Sequence, residues 1–301
     1  MTNRWWIYQS ERFPLATHGL LIAVFSFCAL TFSSLLRGQA VLPQVAGFLV
    51  AFLSALLFFL QLRIADEFKD HWEDSRYRPY RPVPRGLVTL RELGMIAIAG
   101  ALMQLGLALY LKPQLVPLLI IVWIYMFLMI REFFAHRWLK AHPLAYMCSH
   151  MLVMPLITAY VTACDWLVAG DTPPPALLWF LAVSFFTGVV LEIGRKIRAP
   201  HDEERGVETY SALWGPRNAV IAWVGASLMA FAVGLVAADR IGSGRPFVAT
   251  LGVMTVVTVL SGWQFIREPL TRRAKALEHV SGMGALLIYL SLGAIPLVLS
   301  S

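Results

Sequence analysis

The stretch PQVAGFLVAFLSALLFFLQLRIA, residues 43–65, carries no charge between Gln44 and Leu62, then runs directly into DEFKDHWED, residues 66–74. A helix needs about 20 predominantly apolar residues to cross a bilayer, so the first string reads as a span and the second as its polar exit. Eight further stretches of the 301-residue chain read the same way, near 15–36, 90–111, 114–131, 144–164, 176–194, 217–238, 246–266 and 280–300. Composition agrees: 58% of residues are hydrophobic, 14% are charged and the mean hydropathy is +0.66, where soluble chains carry about 25% charge. A soluble enzyme, a disordered chain and a nucleic-acid module are excluded. Cys28, Cys148 and Cys164 stand far apart in apolar runs and match no zinc or disulfide spacing. The first span is too long for a signal-peptide core and lacks a cleavage site, so it is expected in the mature protein. The predicted fold is all-α: a polytopic membrane protein, a bundle of nine transmembrane helices in a single domain over residues 1–301.

Nine spans alternate sides, so the connections can be sorted by charge. The N-terminal segment and the connections after spans two, four, six and eight hold 21 of the 25 Lys and Arg residues; the other side holds Arg37, Lys112, Arg240 and Arg245. That asymmetry places the basic side in the cytoplasm. Fifteen of the 18 acidic residues fall on the same side, all but Asp165, Asp171 and Asp239. The positive-inside rule does not ask for clustered acids, so the mixture marks a polar site on the cytoplasmic face, in the loops near 66–90 and 192–216.

Asp66, Asp70 and Asp74 recur every four residues at the end of the second span. On a helix their directions drift by only about 80° and neighbours rise by roughly 6 Å; Glu73 shares the face. Like charges so close need compensation, and oxygen-only ligands suit Mg²⁺, which is commonly held by one or two carboxylates plus substrate phosphates. Alternatively, this is a solvated helix end whose acids pair with Arg63, Lys69 and Arg76. The continuation SRYRPYRPVPRG, residues 75–86, favours a site: prolines 79, 82 and 84 stop the helix and are expected to force an extended segment. That segment presents arginines whose forks match phosphate oxygens.

These residues carry a resemblance. Aspartates at four-residue spacing followed by Arg-Pro-x-Pro-x-Gly, after the second of nine spans, are similar to the UbiA superfamily of intramembrane prenyltransferases, close in type to 4-hydroxybenzoate polyprenyltransferases. Asp66 takes the place of the asparagine in the first motif, NxxxDxxxD, Asp70 and Asp74 take those of its aspartates, and Arg81–Gly86 fits RPxPxG. The superfamily's second motif follows the sixth span, where this chain reads LEIGRKIRAPHDEERGVET, residues 191–209, closing at Gly215. Gly206, Thr209 and Gly215 fit its tail, Glu192 and Ile193 its start, and Asp202 the place of its last aspartate. Between them the pattern departs: Arg195, Lys196 and Arg198 stand where carboxylates are expected, Pro200 interrupts the helix, and the register needs a one-residue deletion. Either these bases contact a diphosphate directly, or Glu192 pairs with Lys196 at i,i+4 and the rest are topology charges.

The resemblance implies a membrane prenyltransferase that moves an isoprenoid chain from a prenyl diphosphate donor to a lipophilic or aromatic acceptor, a quinone precursor among them, with Mg²⁺ and release of pyrophosphate. It implies Asp66, Asp70, Asp74 and Asp202 as catalytic metal ligands, and Lys69, Arg78, Arg81, Glu192, Arg195, Lys196 and Arg198 around the substrate. The lipid bilayer is the remaining partner, and nucleic acid is not one. The location expected is a bacterial inner (plasma) membrane, with the N-terminus and the active site cytoplasmic and the C-terminus opposite. A transporter for a divalent cation or an anionic lipid is the rival class, since buried acids near a membrane can bind ions; a catalytically altered relative is the third. Against transport, the charges sit at helix ends on one face. His136 and Lys140, with Arg131 and Arg137, read mainly as topology anchors, Arg12 as an entry anchor, and His18 and His150 as either functional or bonded within the bundle.

Overall fold

The computed structural model describes residues 3–300; they are largely helical and contain no strand. Among them nine segments are long and apolar enough to cross a membrane: Leu15–Leu36, Val45–Lys69, Leu90–Leu111, Pro113–Ile130, Pro143–Trp166, Leu177–Arg195, Pro216–Asp239, Phe247–Arg267 and Thr271–Leu299. Eight lie within a few residues of the expected stretches. The last starts at Thr271 rather than near 280, because its polar first turns TRRAKALEH are helical too.

The chain forms two compact units. The first takes residues up to Leu30 together with Pro43–Pro173, the second Thr31–Leu42 with everything from Pro174 onward. The first unit opens with a short helix that hydropathy does not reveal, α1 (Arg4–Arg12), capped by the Asn3 side chain on the Trp5 amide. Then come α2 (Leu15–Leu36), whose residues from Thr31 onward are counted with the second unit, α3 (Val45–Lys69), α4 (His71–Tyr77), α5 (Leu90–Leu111), α6 (Val116–Ile130), α7 (His136–Ala141), α8 (Pro143–Met151) and α9 (Val153–Trp166). The fifth span is thus two helices. Pro155 has no N–H for the carbonyl of Met151 and its ring crowds it, so the helix breaks there.

Within this unit α3 packs against α5, α6 and α9. At Gly47 a β-carbon would sit 3.1 Å from the Cys164 carbonyl oxygen, so glycine allows α3 and α9 to approach closely, as small residues do between membrane helices. Polar side chains add a directional tie: Gln61 Nε2 donates to Gln104 Oε1 at 3.1 Å, Gln104 Nε2 to the Ser54 carbonyl at 3.0 Å, and Trp123 Nε1 to Gln104 Oε1 at 3.0 Å. Such bonds are worth roughly 0.6 kcal/mol each on average in a bilayer, so they set register more than stability.

The second unit holds α10 (Leu177–Arg195), α11 (Tyr210–Trp214), α12 (Pro216–Asp239), α13 (Gly244–Arg267), α14 (Thr271–Leu292) and α15 (Ala294–Ser300). Helix α10 packs on α12 and α14, and α13 on both of those. The tightest approach is at Gly194, where a β-carbon would fall on the Ser281 side chain; Ser281 Oγ accepts from Trp223 Nε1 at 2.8 Å and donates to the Leu277 carbonyl. Pro296 interrupts the final span at Leu292–Gly293 as Pro155 does the fifth.

Candidate active site

The three aspartates of the first motif keep their step although the helix does not run through them. Helix α3 ends at Lys69 and α4 begins at His71, yet Asp70 N–H bonds to the Asp66 carbonyl (2.9 Å), Asp74 N–H to that of Asp70 (2.8 Å) and Arg78 N–H to that of Asp74 (2.9 Å). The i→i−4 pattern therefore survives the irregular residue. Beyond Tyr77 the expected extended segment is not found: residues 79–87 form consecutive turns, with Arg85 N–H on the Arg81 carbonyl (3.0 Å) and Leu87 N–H on that of Pro82 (2.9 Å). The fixed φ of proline suits the second position of a turn as well as an extended chain. Gly86 closes the series at φ 77°, a conformation that a side chain disfavours, which accounts for the glycine of Arg-Pro-x-Pro-x-Gly.

The folded-back arginines reach their own acids. Asp74 is 1% exposed, with Arg78 Nη2 2.6 Å from Oδ1 and Arg81 Nη1 2.6 Å from Oδ2. Arg78 is buried as well, and its Nε finds no hydrogen-bond partner, a donor that an incoming oxyanion would satisfy. Asp66 is half exposed and lies 3.5 Å from Arg63. Asp70 differs from both: it makes no ion pair among the described residues. Burial first, and then the neighbouring Asp66 charge, push its carboxyl up to about 6.

Lys69 turns away from this column. Its ammonium bonds to the Tyr146 hydroxyl, lies 4.5 Å from the centre of that ring, and sits 3.2 Å from Glu132 and 3.4 Å from His150 Nε2. Glu132 also pairs with His136; burial opposes its charge, but the His136 hydrogen bond and the Lys69 ammonium hold its carboxyl below the usual range. It is placed there by a left-handed turn in which Glu132, Phe133 and Phe134 have φ of 46°, 52° and 57°, each costing about 1–2 kcal/mol and so offset by the contacts it creates. Neither Glu132 nor Tyr146 stood out in the sequence, although Glu132 is the lone acid in the 131–142 connection. His150 stacks on Tyr146 at 4.0 Å. His18 bonds the Pro14 carbonyl and stacks on Phe13. Glu67 was also missed: it is 1% exposed and paired with the buried Arg12, so Arg12 locks α1 onto α3.

In the second unit the motif is neutralised from within. Glu192 is flanked by Arg195 Nη2 at 2.6 Å and Lys196 Nζ at 2.8 Å, so two of the three bases expected near a diphosphate already share a carboxylate. Arg198 lies 3.1 Å from Glu204. Asp202 ends a 3₁₀ turn over Pro200–Asp202, about one third exposed and 3.6 Å from His201. The carboxylate held most firmly is its neighbour Glu203, which accepts from Thr209 Oγ1 at 2.7 and 2.8 Å and from Ser211 Oγ at 2.7 Å. Thr209 also caps α11 through the Ala212 amide. Its place in the G-x-x-T tail is thus explained by loop geometry, with Gly206 supplying φ 77°.

The donor chemistry fits a hard divalent cation. The first motif offers oxygen ligands only, one carboxylate without an ion pair and two neighbours at four-residue steps. Among the described residues no three acidic, His or Cys side chains converge on one point, which Mg²⁺ does not require when substrate phosphates supply the remaining ligands.

The comparisons place this architecture. A sequence profile of the UbiA prenyltransferase family matches residues 24–288. The chain belongs to that family, and so to a class of membrane-embedded prenyltransferases. Its fold is similar to that of a UbiA homologue from Aeropyrum pernix K1, with a TM-score of 0.70 at 16% identity over 93% of this chain and 97% of that one. A structure of digeranylgeranylglyceryl phosphate synthase matches with a TM-score of 0.62 at 14% identity over 97% and 99%. A UbiA homologue from Archaeoglobus fulgidus bound to DMAPP and Mg²⁺ matches at 0.51 and 12% identity over 92% and 98%. No curated protein sequence matches the chain significantly.

Proposed function

We propose that this protein transfers the prenyl group of a prenyl diphosphate to an aromatic or quinone-precursor acceptor, using Mg²⁺ held at the first acidic motif. The observation that carries the reading is Asp70. A carboxyl pushed up to about 6 beside two further aspartates is ready for a cation that cancels the repulsion. Asp66, Asp70 and Asp74 are the ligands assigned to the first unit's motif and Asp202 the one assigned to the second. Mg²⁺ bound there would neutralise the diphosphate as a leaving group.

The chain's own residues do the rest. Arg78, with its unsatisfied Nε, and Arg81 bind diphosphate oxygens while keeping Asp74 oriented. Arg195, Lys196 and Arg198 are the candidate anion contacts of the second unit, and Glu192 holds the first two in place. Lys69 is reassigned from donor binding to positioning: it fastens the end of α3 to Glu132 and Tyr146. In the transfer, the allylic C–O bond breaks with its electron pair going to diphosphate, the acceptor's nucleophilic atom bonds to that carbon, and the acceptor gives up a proton. Apolar spans around the isoprenoid tail exclude the water that would compete.

The charge asymmetry supports a cytoplasmic site, with the C-terminus on the opposite side of the membrane. Transport gives way to family membership and to charges confined to helix ends. In the direct experiment, purified protein is incubated with Mg²⁺, labelled prenyl diphosphates of several lengths and aromatic acceptors. Pyrophosphate release that disappears in Asp70→Ala supports the proposal, whereas divalent-cation flux in proteoliposomes without turnover of any donor contradicts it.

A further inference from the structure

A cavity of about 580 Å³ opens beside the N-terminal helix of the first unit, walled by Trp5, Tyr8, Phe13, Leu60, Ile64 and Ile96. Its size is that of a site for a small molecule. It is not the donor's site: at 100° per residue Ile64 points about 160° away from Asp66 on α3. Leu60 and Ile64 lie in the last turns of the second span and Ile96 in the second turn of the third, so the cavity is level with the boundary where lipid headgroups give way to chains. Helix α1 has the features of an interfacial helix: arginine at each end and Trp6 64% exposed.

Three polar side chains line this otherwise apolar space, Asn3, Gln9 and Tyr8; the Asn3 and Gln9 oxygens already accept from the Trp5 and Leu15 amides at 3.0 Å. Tyr8 is 4% exposed, and its hydroxyl is buried with no hydrogen-bond partner among the described residues. Burial first, then Glu67, push the phenol up to about 12, so it stays protonated and needs an acceptor. The nearby arginines are committed, Arg12 to Glu67, Arg63 to Asp66 at 3.5 Å and Arg4 to Glu92 at 2.7 Å. A neutral oxygen therefore suits the site better than an anion.

We propose that the cavity binds an acyl chain of a glycerophospholipid, with the ester carbonyl accepting from Tyr8 and the hydrocarbon packed between α1, α3 and α5. The bound chain completes the packing of α1 over α3, beside the Arg12–Glu67 pair. This lipid site is independent of the donor site.

The test uses the full-length protein in phosphatidylcholine vesicles containing a trace of phosphatidylcholine with a diazirine on one acyl chain, and cross-links are mapped by peptide mass spectrometry. Labelling is expected to concentrate on residues 5–13 and 60–64, above the bilayer-exposed Val253, Val256 and Leu260 of α13. Tyr8→Phe, which keeps the shape, should lower it by about 2- to 10-fold, the worth of one hydrogen bond. A dialkyl ether phosphatidylcholine, which lacks the carbonyl, should compete more weakly than the diester against the wild type and equally against Tyr8→Phe. Ile64→Trp, or Leu60→Trp should that variant not fold, fills the cavity and should abolish the labelling. Labelling no higher than on α13, no effect of Tyr8→Phe, or competition by geranylgeranyl diphosphate but not by diester lipid would each overturn the proposal.

Discussion

The two acidic loops solve the same electrostatic problem differently. After the second span, three aspartates step along one direction, and the arginines that fold back pair only with Asp74, leaving Asp70 half-buried and without an ion pair. After the sixth span three carboxylates have close local partners: Glu192 has Arg195 and Lys196, Glu203 has two hydroxyls, Glu204 has Arg198. A group the fold leaves uncompensated is one that something else must compensate. The difference points to the first loop as the place where a cation is needed, and to the second as a preformed, nearly neutral scaffold.

Substitutions can break that contrast. The largest effect is expected for Asp70→Asn, which should lower turnover on the order of 10²-fold or more while leaving the thermal midpoint unchanged or raised, because a repulsive charge is gone. Next comes Arg81→Ala. Arg78 still pairs with Asp74, so the fold should survive while KM for the donor rises about 10-fold, the effect of one charge-assisted contact; unchanged donor affinity would remove Arg81 from the site. The smallest effect is expected for Glu192→Gln, whose amide oxygen can still accept from Arg195 and Lys196 and which withdraws no metal ligand, so kcat/KM should stay within about threefold. A loss as large as that of Asp70→Asn would invert the comparison.

Acidity sharpens it further. Because the folded pKa of Asp70 is raised from 3.8 to about 6, the metal-free protein gains stability from this group that is fully present below pH 3.8 and lost as pH rises through 6. Cation binding requires the ionised form, so Mg²⁺ affinity should climb about tenfold per unit up to pH 6 and level off above it. A flat profile from pH 5 to 7 would show that Asp70 is already ionised.

Hydropathy made the spans legible because a bilayer leaves few alternatives to a long apolar helix. What it did not reveal has specific causes. Helix α1 is short and polar, and reads as a tail until Arg12 meets Glu67, 55 residues away in sequence. The breaks at Leu152 and Gly293 were signalled by Pro155 and Pro296, but a hydropathy window averages over a single proline. The aspartate column was visible from its spacing alone, since backbone bonds preserve the step through Asp70. Its compensation was not, because turns rather than extended chain carry Arg78 and Arg81 back to Asp74. In the second loop the resemblance to the family's second motif drew attention to Asp202, whereas the carboxylate held by hydroxyls is Glu203. That choice depends on Thr209 and Ser211 folding over it, and no periodicity encodes it.

The central claim is that Asp70 gives the first loop its need for a cation. Calorimetric binding of an unreactive prenyl thiodiphosphate, with and without Mg²⁺, tests it most directly in the wild type, Asp70→Asn and Glu192→Gln. The account predicts a Mg²⁺-dependent gain in affinity that is lost in Asp70→Asn and kept in Glu192→Gln; an equal gain in wild type and Asp70→Asn would contradict it.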